Sequence, residues 1–360
     1  MSTHLSYIKT VSATIKDIAR EARTSVATVS RALNDTGIVT PKLKQSILQI
    51  AARLNYVPHS GARSLIMRRT DTIGVVLPDL YGEFFSELIR GIDLAARSRR
   101  LHLLISTTHG SAEEAAGAIR AMSGRVDGLL LMSPHLDKQL LRDCVTNNLP
   151  TVLINSEAVA NAVAAISVDH YGGAFAMVRY LASLGHKRIA HITGPTPNFD
   201  AQERIRGYRD ALKTFRPGAS EQLIVGDFNE ESGYRAGREI LTRRQPPEAV
   251  FAANDMMAIG CLYALMQGGL RVPEDIAVAG FDDVPLARFV TPALTTVRVD
   301  IADLGGRALA RLAAAVESRD DSRPATEIVR TELVIRASCG SSGSRSGAAA
   351  PTVKKRRPSK

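Results

Sequence analysis

Cysteine is scarce in this 360-residue chain: Cys144, Cys261 and Cys339 are scattered, odd in number and form no CxxC pair. Such a set excludes a disulfide framework and gives no zinc-site spacing. No apolar run reaches the roughly 20 residues that span a bilayer, and Met1 to Val11 lacks the apolar core of a secretory signal. A cytoplasmic protein with no membrane partner is therefore expected. The chain also has no phosphate loop, no GxGxxG, no GxSxG and no metal-ligand cluster. His102, His186 and His191 lie in or beside strand-like segments without a nucleophile partner. Nothing here calls for an enzyme, a cofactor or a metal.

Hydrophobic residues make up 45% of the chain, enough for a sizeable core. The length suits one small domain and a larger one or two. The net charge of +10 is unevenly placed. Residues 1–69 carry 11 Lys/Arg against 3 Asp/Glu, residues 70–339 carry 29 against 33, and residues 340–360 carry 6 against none. Two basic ends around a mildly acidic body point to polyanion binding at the ends, where a merely soluble surface would scatter its charge.

The first sixty residues read as three short helices. Thr14 and Asp17 form a capping pair ahead of Ile15, Ile18, Ala19 and Ala22, which recur at helical spacing. A break at Arg23-Thr24 follows, and Ser25 is positioned to cap a second helix from Val26 to Leu33. Val29, Ala32 and Leu33 share one side of that helix; Ala27, Ser30, Arg31 and Asn34 share the other. Thr40-Pro41 opens a third helix with Ile47, Ile50, Ala51 and Leu54 on one face, ending at Asn55-Tyr56-Val57-Pro58. Two helices separated by a tight break match a helix-turn-helix whose second helix is free to enter a major groove. Short side chains at Val26 and Ala27 allow close approach to base edges, and Arg31 can contact a guanine in two places. Ser25, Thr28 and Ser30 are candidate phosphate or base partners. A three-helix protein-interaction module is the other reading of this pattern.

Beyond residue 71, strand-like and helix-like stretches alternate. Thr72 to Leu77, Leu101 to Ser106, Val126 to Met132, Thr151 to Asn155 and Ala165 to Val168 are short and rich in Val, Ile and Leu. Helical patterns at Phe84 to Arg99, Glu113 to Met122 and Lys138 to Thr146 lie between them. A second series has strands at Arg188 to Thr193, Gln222 to Val225, Ala249 to Ala253 and Ile276 to Phe281. Its helices are expected at Gly172 to Leu184, Ala201 to Thr214, Glu231 to Thr242 and Met256 to Gly268. Apolar strands alternating with amphipathic helices mean parallel sheets covered on both faces, here two α/β lobes. Ligands of such sheets bind beyond the carboxyl ends of the strands, in this case between lobes. Asn155, Asn254-Asp255 and Asp282-Asp283 end strands, and Arg204 opens a helix after Gly194-Pro195. Amides, carboxylates and a guanidinium suit a hydroxyl-rich ligand, because each sugar hydroxyl both donates and accepts. Phe84, Phe85 and Phe251 could stack against it. Equally, Asp255 and Asp283 could cap helices and Phe85 could be core.

The run from Thr14-Ile15-Lys16-Asp17-Ile18-Ala19 through Ser25-Val26-Ala27-Thr28-Val29-Ser30-Arg31-Ala32-Leu33-Asn34, with Leu54-Asn55-Tyr56-Val57-Pro58, closely resembles the headpiece of the LacI/GalR family of bacterial regulators. Leu184-Gly185-His186-Lys187-Arg188, Ala253-Asn254-Asp255, Gly280-Phe281-Asp282-Asp283 and Thr291-Pro292-Ala293-Leu294-Thr295-Thr296 resemble the periplasmic-binding-protein-like effector domain of that family. Arg23 departs from it, standing where the family often has glycine, and could add a phosphate contact. The resemblance, over roughly residues 14–338, implies an all-α helix-turn-helix headpiece joined to a two-lobed α/β domain with parallel sheets. Its segments are an extension at 1–12, a headpiece at 13–58, a hinge at 59–70, an effector and dimerisation domain at 71–338 and a basic tail at 339–360.

By the same resemblance, Thr14, Ser25, Val26, Ala27, Thr28, Ser30, Arg31, Asn34, Tyr56, Ala62 and Leu65 contact DNA, Leu65 as a wedge in the minor groove. A plain linker is the other reading of the hinge, where His59 replaces a usual asparagine. Phe84, Phe85, Asn155, Asn198, Asp200, Arg204, Phe251, Asn254 and Asp282 correspond to effector-pocket positions. Asn198 stands where purine-responsive members carry arginine, which argues against a purine corepressor and favours a sugar or sugar derivative. The function implied is a homodimeric regulator, most often a repressor in this family, that reads palindromic double-stranded operator DNA under control of a small-molecule effector. A transport protein for sugars would instead need a signal peptide and would have no use for residues 14–58. Lys354-Lys355-Arg356-Arg357 in the tail could add nonspecific DNA affinity.

Overall fold

Three short helices open the folded chain: α1 (Ile15–Glu21), α2 (Val26–Asn34) and α3 (Pro41–Arg53). The computed structural model describes residues 13–34, 37, 39–56, 69–134, 149–156, 164–318 and 326–340. The expected hinge positions His59, Ala62 and Leu65, the expected helix at Lys138 to Thr146, the extension at 1–12 and the basic run at 354–357 lie outside the described residues. The chain divides into two compact units, Met1–Thr70 and Asp71–Lys360.

In the first unit the Asp17 carboxylate accepts from the Thr14 amide at 2.9 Å and from its hydroxyl at 2.6 Å. The reach back onto the cap comes from Asp17, while the Thr14 hydroxyl donates to it. Ser25 Oγ accepts from the Thr28 amide at 3.1 Å and starts α2. Arg23 sits between the helices at φ 49°, a left-handed conformation that costs a residue with a Cβ on the order of 1 kcal/mol. Ile18, Val29 and Ile47 are fully buried, with Ala19, Ala32 and Ala51 beside them and Ile15, Leu33, Ile50, Leu54 and Tyr56 half-buried around them. Each buried branched side chain contributes about 1.5–3 kcal/mol, enough to hold three helices too short to persist alone.

The second unit begins with β1 (Thr72–Leu77), α4 (Glu83–Ser98), β2 (His102–Thr107), α5 (Ala112–Met122), β3 (Gly128–Leu131), β4 (Thr151–Ile154) and β5 (Ala164–Val168). It continues through α6 (His170–Ser183), β6 (Ile189–Thr193), α7 (Phe199–Phe215), β7 (Leu223–Val225), α8 (Glu230–Thr242), β8 (Ala249–Ala252), α9 (Asp255–Gln267), β9 (Ala277–Asp282) and a 3-10 turn at Pro285–Arg288. The last elements are β10 (Thr295–Arg298), α10 (Ile301–Ser318), β11 (Thr326–Val329), β12 (Glu332–Val334) and a 3-10 turn at Ala337–Cys339. Two six-stranded sheets result, ordered β11-β5-β4-β3-β1-β2 and β12-β10-β9-β8-β6-β7. All pairings are parallel except β10 with β12.

Two contiguous series of strands were expected. The chain instead crosses between lobes three times, after β5, after β10 and between β11 and β12. β11 pairs with β5 in the first sheet, while β12 pairs with β10 in the second. Ser338 Oγ accepts from the Thr295 amide at 2.8 Å and donates to the Val278 carbonyl at 2.6 Å, and Cys339 is buried next to it. The boundary expected between 338 and 339 therefore falls inside a packed segment, because this turn closes the end of the second sheet.

Helix contacts are close where glycine permits. A Cβ on Gly91 of α4 would overlap the carbonyl oxygen of Ala302 at the start of α10, and one on Gly233 of α8 would overlap that of Met257 in α9. His191 is buried in the second lobe, its ring centroid 5.2 Å from Tyr208 and 4.8 Å from Phe251. Its Nδ1 is 2.8 Å from the Phe251 carbonyl. A carbonyl only accepts, so Nδ1 carries the ring proton. Burial pulls this imidazole down to about 4.

Gly91→Ala is expected to destabilise the second unit by about 2 kcal/mol or more, because α4 and α10 must separate; a urea midpoint equal to wild type would refute that packing. For His191 the folded value lies below the ordinary 6.5, so its neutral form adds stability above pH 6.5 that is lost as pH falls toward about 4. Relative to His191→Phe, the wild type should lose about 3 kcal/mol across that window, measured as a difference of urea titrations; a difference independent of pH would be inconsistent with a buried neutral ring.

Candidate functional site

The outer face of α2 is open. Ser25, Val26, Ala27 and Arg31 are exposed, Thr28 and Ser30 are half-buried, and Thr14 is exposed at the head of α1. Val29 and Ala32 turn inward, so the side with short side chains faces away from the core. Asn34 closes α2, and Tyr56 lies half-buried against the core of this unit.

In the second unit, strand ends and helix starts meet at a cavity of about 500 Å³ between the lobes. The first lobe supplies Asp79, Tyr81, Glu83, Phe84, Phe85 and His109; the second supplies Asn198, Asp200, Arg204, Asp227, Phe228, Asn229, Asn254, Met256 and Asp282. The segments at 198–204, 227–229 and 254–256 each follow a strand of the parallel sheet and begin the next helix, and Asp282 ends β9. Asn198 caps α7 through Oδ1 to the Ala201 amide at 2.9 Å. Asn229 caps α8 through the Ser232 amide at 2.9 Å, and Asn254 caps α9 through the Met257 amide at 3.0 Å. An asparagine that caps with its oxygen retains an NH2 group, so the capping chemistry itself produces donors at the cavity. Asn254 donates its own to the Phe228 carbonyl at 2.7 Å and thereby holds the β7–α8 loop.

Arg204 is 4% exposed. Its Nη1 donates to the Ala253 carbonyl, its Nε and Nη2 reach His170 Nδ1 at 3.3 and 3.2 Å, and Nη2 lies 3.4 Å from Asp282 Oδ1. The guanidinium also covers the Phe281 ring at 4.0 Å. Guanidinium only donates, so His170 accepts at Nδ1 and carries its proton on Nε2. That atom is 3.1 Å from Asp200 Oδ1, off the line of a hydrogen bond. Burial lowers the His170 value and keeps the ring neutral; the Asp200 charge opposes this. Burial raises Asp282 to about 7 despite Arg204 beside it. Asp282 and Asp283 both have positive φ, 112° and 55°, so backbone strain concentrates where β9 meets the cavity.

Of the positions singled out in the sequence, Phe84, Phe85, Asn198, Asp200, Arg204, Asn254 and Asp282 line this one cavity. Two do not. Phe251 is fully buried in the sheet core against His191, because β8 is covered on both faces. Asn155 is also buried, and its Oδ1 accepts from the Val168 amide at 3.0 Å, which turns it toward β5. Asp255 is no cap: its carboxylate accepts from the Val284 amide at 2.9 Å and from Thr296 Oγ1 at 2.5 Å. Asp283 is held by Arg298 at 2.7 Å and by Arg336. Sequence reasoning missed His170, Asp79, Asp227 and Asn229. Asn229 follows the strand at Leu223–Val225, and the rule applied to Asn254 would have found it.

Comparison with known proteins sets this geometry in a family. Residues 14–59 match the model of the bacterial regulatory proteins of the lacI family, and residues 178–339 match that of the periplasmic binding protein-like domain. The HTH-type transcriptional regulator GalS of Salmonella typhimurium is 36% identical over 293 residues, 81% of this chain and 86% of that protein. The crystal structure of the lac repressor dimer bound to operator and the anti-inducer ONPF superposes with a TM-score of 0.82 at 27% identity, covering 91% of this chain and 99% of that one. The CelR–cellobiose complex superposes at 0.68 with 30% identity, over 91% and 99% of the two chains. The chain belongs to the lacI family of bacterial regulatory proteins and is a transcriptional regulator.

Proposed function

We propose that the protein is a homodimeric repressor that reads a palindromic operator through α2 and is controlled by a sugar-like effector bound between its lobes. The observation that carries the DNA half is the exposed run Ser25, Val26, Ala27, Arg31 on a helix whose opposite side is buried. A rigid helix with short side chains at its start can lie close to base edges in the major groove. Ser25 and Thr28 stand at the start of α2, where contacts to phosphate form, with Ser30 one turn further on, and Thr14 and Tyr56 are further candidates. The operator-bound lac repressor dimer supports this reading. A second copy of the chain is supported by exposed apolar side chains on both lobes, Leu94, Leu104 and Ile105 on one and Tyr263, Met266 and Phe289 on the other. A two-fold protein selects a two-fold site.

The effector half is supported by the cavity. About 500 Å³ suits a mono- or disaccharide. Phe84, Phe85 and Phe228 offer ring faces, and Asn198, Asn229, Asp200 and Asp282 alternate donors with acceptors, as hydroxyls require. The cellobiose complex of CelR points the same way. A ligand that touches both lobes favours one arrangement of them over another, and its differential affinity sets the coupling to DNA. We infer that the effector acts as an inducer.

Glutamate at both Val26 and Ala27 should lower affinity for a palindromic site, selected from random DNA by the wild type, by at least about a hundredfold. Arg31→Ala should lower it roughly ten- to a hundredfold. All three side chains are exposed, so melting should barely move; electrophoretic titrations showing wild-type affinity in the double variant would dispose of α2 as the reading helix. Asn198→Ser keeps a cap oxygen but removes the NH2, so calorimetry should find sugar affinity about tenfold lower at unchanged stability. Operator titrations with saturating sugar should show weaker DNA binding, whereas tighter binding would identify a corepressor.

A further inference from the structure

The charge lining the cleft is lopsided. Among the described residues, five carboxylates border the cavity, Asp79, Glu83, Asp200, Asp227 and Asp282, against two basic side chains, Arg204 and His109. The Arg204 charge faces Asp282, and three of its N–H groups are committed to Ala253 and His170. Asp227 has a partner of its own, Arg235 at 3.5 Å. What remains among the described residues is acidic: Asp79 and Glu83 on the first lobe, which accept from the uncharged backbone amides of Leu80, Tyr81 and Leu286, and Asp200 on the second. Asp200 is the sharpest of these. It is 5% exposed and lines the cavity, and its nearest donor is the neutral His170 ring, whose Nε2 lies 3.1 Å from the buried Oδ1 and off the line of a hydrogen bond. The neighbouring His170 ring is neutral and offers no compensating charge.

Helices α4, α7, α8 and α9 begin at this cavity, and helix N-termini attract anions with about half a positive charge each. Three of those ends are already filled by the side-chain oxygens of Asn198, Asn229 and Asn254. Acidic residues occupy the first turn of α4, α7 and α8, Glu83, Asp200, and Glu230 with Glu231, while Asp255 in α9 is buried with its carboxyl held well above the usual range by desolvation. The half-charges are met from within the protein, and a ligand anion would face carboxylates at short range in a site of reduced dielectric.

We propose that the cleft selects polyhydroxylated ligands that carry no anionic group: neutral sugars and amino sugars enter, while the sugar acids and sugar phosphates built on the same rings are rejected. The proposal rests on the reading of the cavity as a carbohydrate site and narrows it by charge. The Asp200 carboxylate is the discriminating group, attracting a hydroxyl or an ammonium and repelling a carboxylate or a phosphate.

The test is calorimetric titration of the full chain with matched probes at neutral pH and physiological salt. Glucose, galactose, ribose and cellobiose are set against glucuronate, galacturonate, ribose phosphate and glucose phosphate, with glucosamine as the cationic member. The tightest binder should be neutral or cationic, and its anionic counterpart should bind at least about thirtyfold more weakly. Asp200→Asn should shrink that ratio about tenfold by admitting the anion, and Asp79→Asn, on the opposite wall and in an exposed turn, should shrink it less. An anionic probe that matches or exceeds its neutral counterpart in the wild type would overturn the proposal, as would a ratio untouched by either variant. A panel in which no carbohydrate of any charge binds has a different signature, and it would sink the carbohydrate reading itself.

Discussion

A parallel strand cannot turn directly into its neighbour; it must hand the chain to a helix that begins where the strand ends. In this protein that constraint generates the cleft. The second sheet delivers β6, β7 and β8 to one edge, and at each the next helix exposes amides that demand a cap. Asparagine answers three times, at Asn198, Asn229 and Asn254, so a local requirement of helix starts produces a row of amides facing the same space. The first sheet adds the turn at Asp79 to Phe85, where β1 ends and α4 starts. The ligand site follows from the connectivity of the sheets.

Burying a guanidinium in that row is the costly step. Moving Arg204 out of water is tolerated because it is held on several sides, by a backbone carbonyl, a neutral imidazole, a carboxylate and an aromatic face. His170 is essential to this arrangement because a protonated ring could not accept from Arg204. Burial keeps it neutral, so one desolvation cost enables the other partner's bond. Asp282 completes the set from a strained backbone, which places strain at the ligand site and keeps the sheet interior regular.

How much of this was legible depended on whether a residue's role was set by its neighbours in sequence or by those in space. The face of α2 was legible because periods of three and four separate Val29 and Ala32 from Val26, Ala27 and Arg31. The strand-end rule found Asn254 and Asp282 for the same reason. It misplaced Asn155, because nothing local shows that the amide bonds to Val168 across β5. Phe251, expected as a stacking wall, is core instead, because a strand covered on both faces has no alternation to say which way a side chain points. The elements from β10 to β12 escaped for a further reason. β11 is a short edge strand with exposed Thr326, Glu327 half-buried and Ile328 largely open, so it carries neither the apolar run nor the alternation that marked its neighbours. The second and third lobe crossings depend on those last elements and were invisible with them, whereas the first, after β5, followed from the two series of strands.

Charge ties the two functions together. The first 69 residues carry an excess of eight positive charges, while residues 70–339 carry an excess of four negative ones. A polyanion is drawn to the first segment and meets no general attraction on the second. Inside the second segment the same sign recurs locally, where Asp79, Glu83 and Asp200 leave the cavity acidic after Arg204 and Asp227 have found partners. A body with that sign adds no general attraction for DNA to the reading proposed for α2. Basic segments at both ends and an acidic one between them thus separate the parts of the chain suited to a polyanion from the part proposed to take an uncharged ligand.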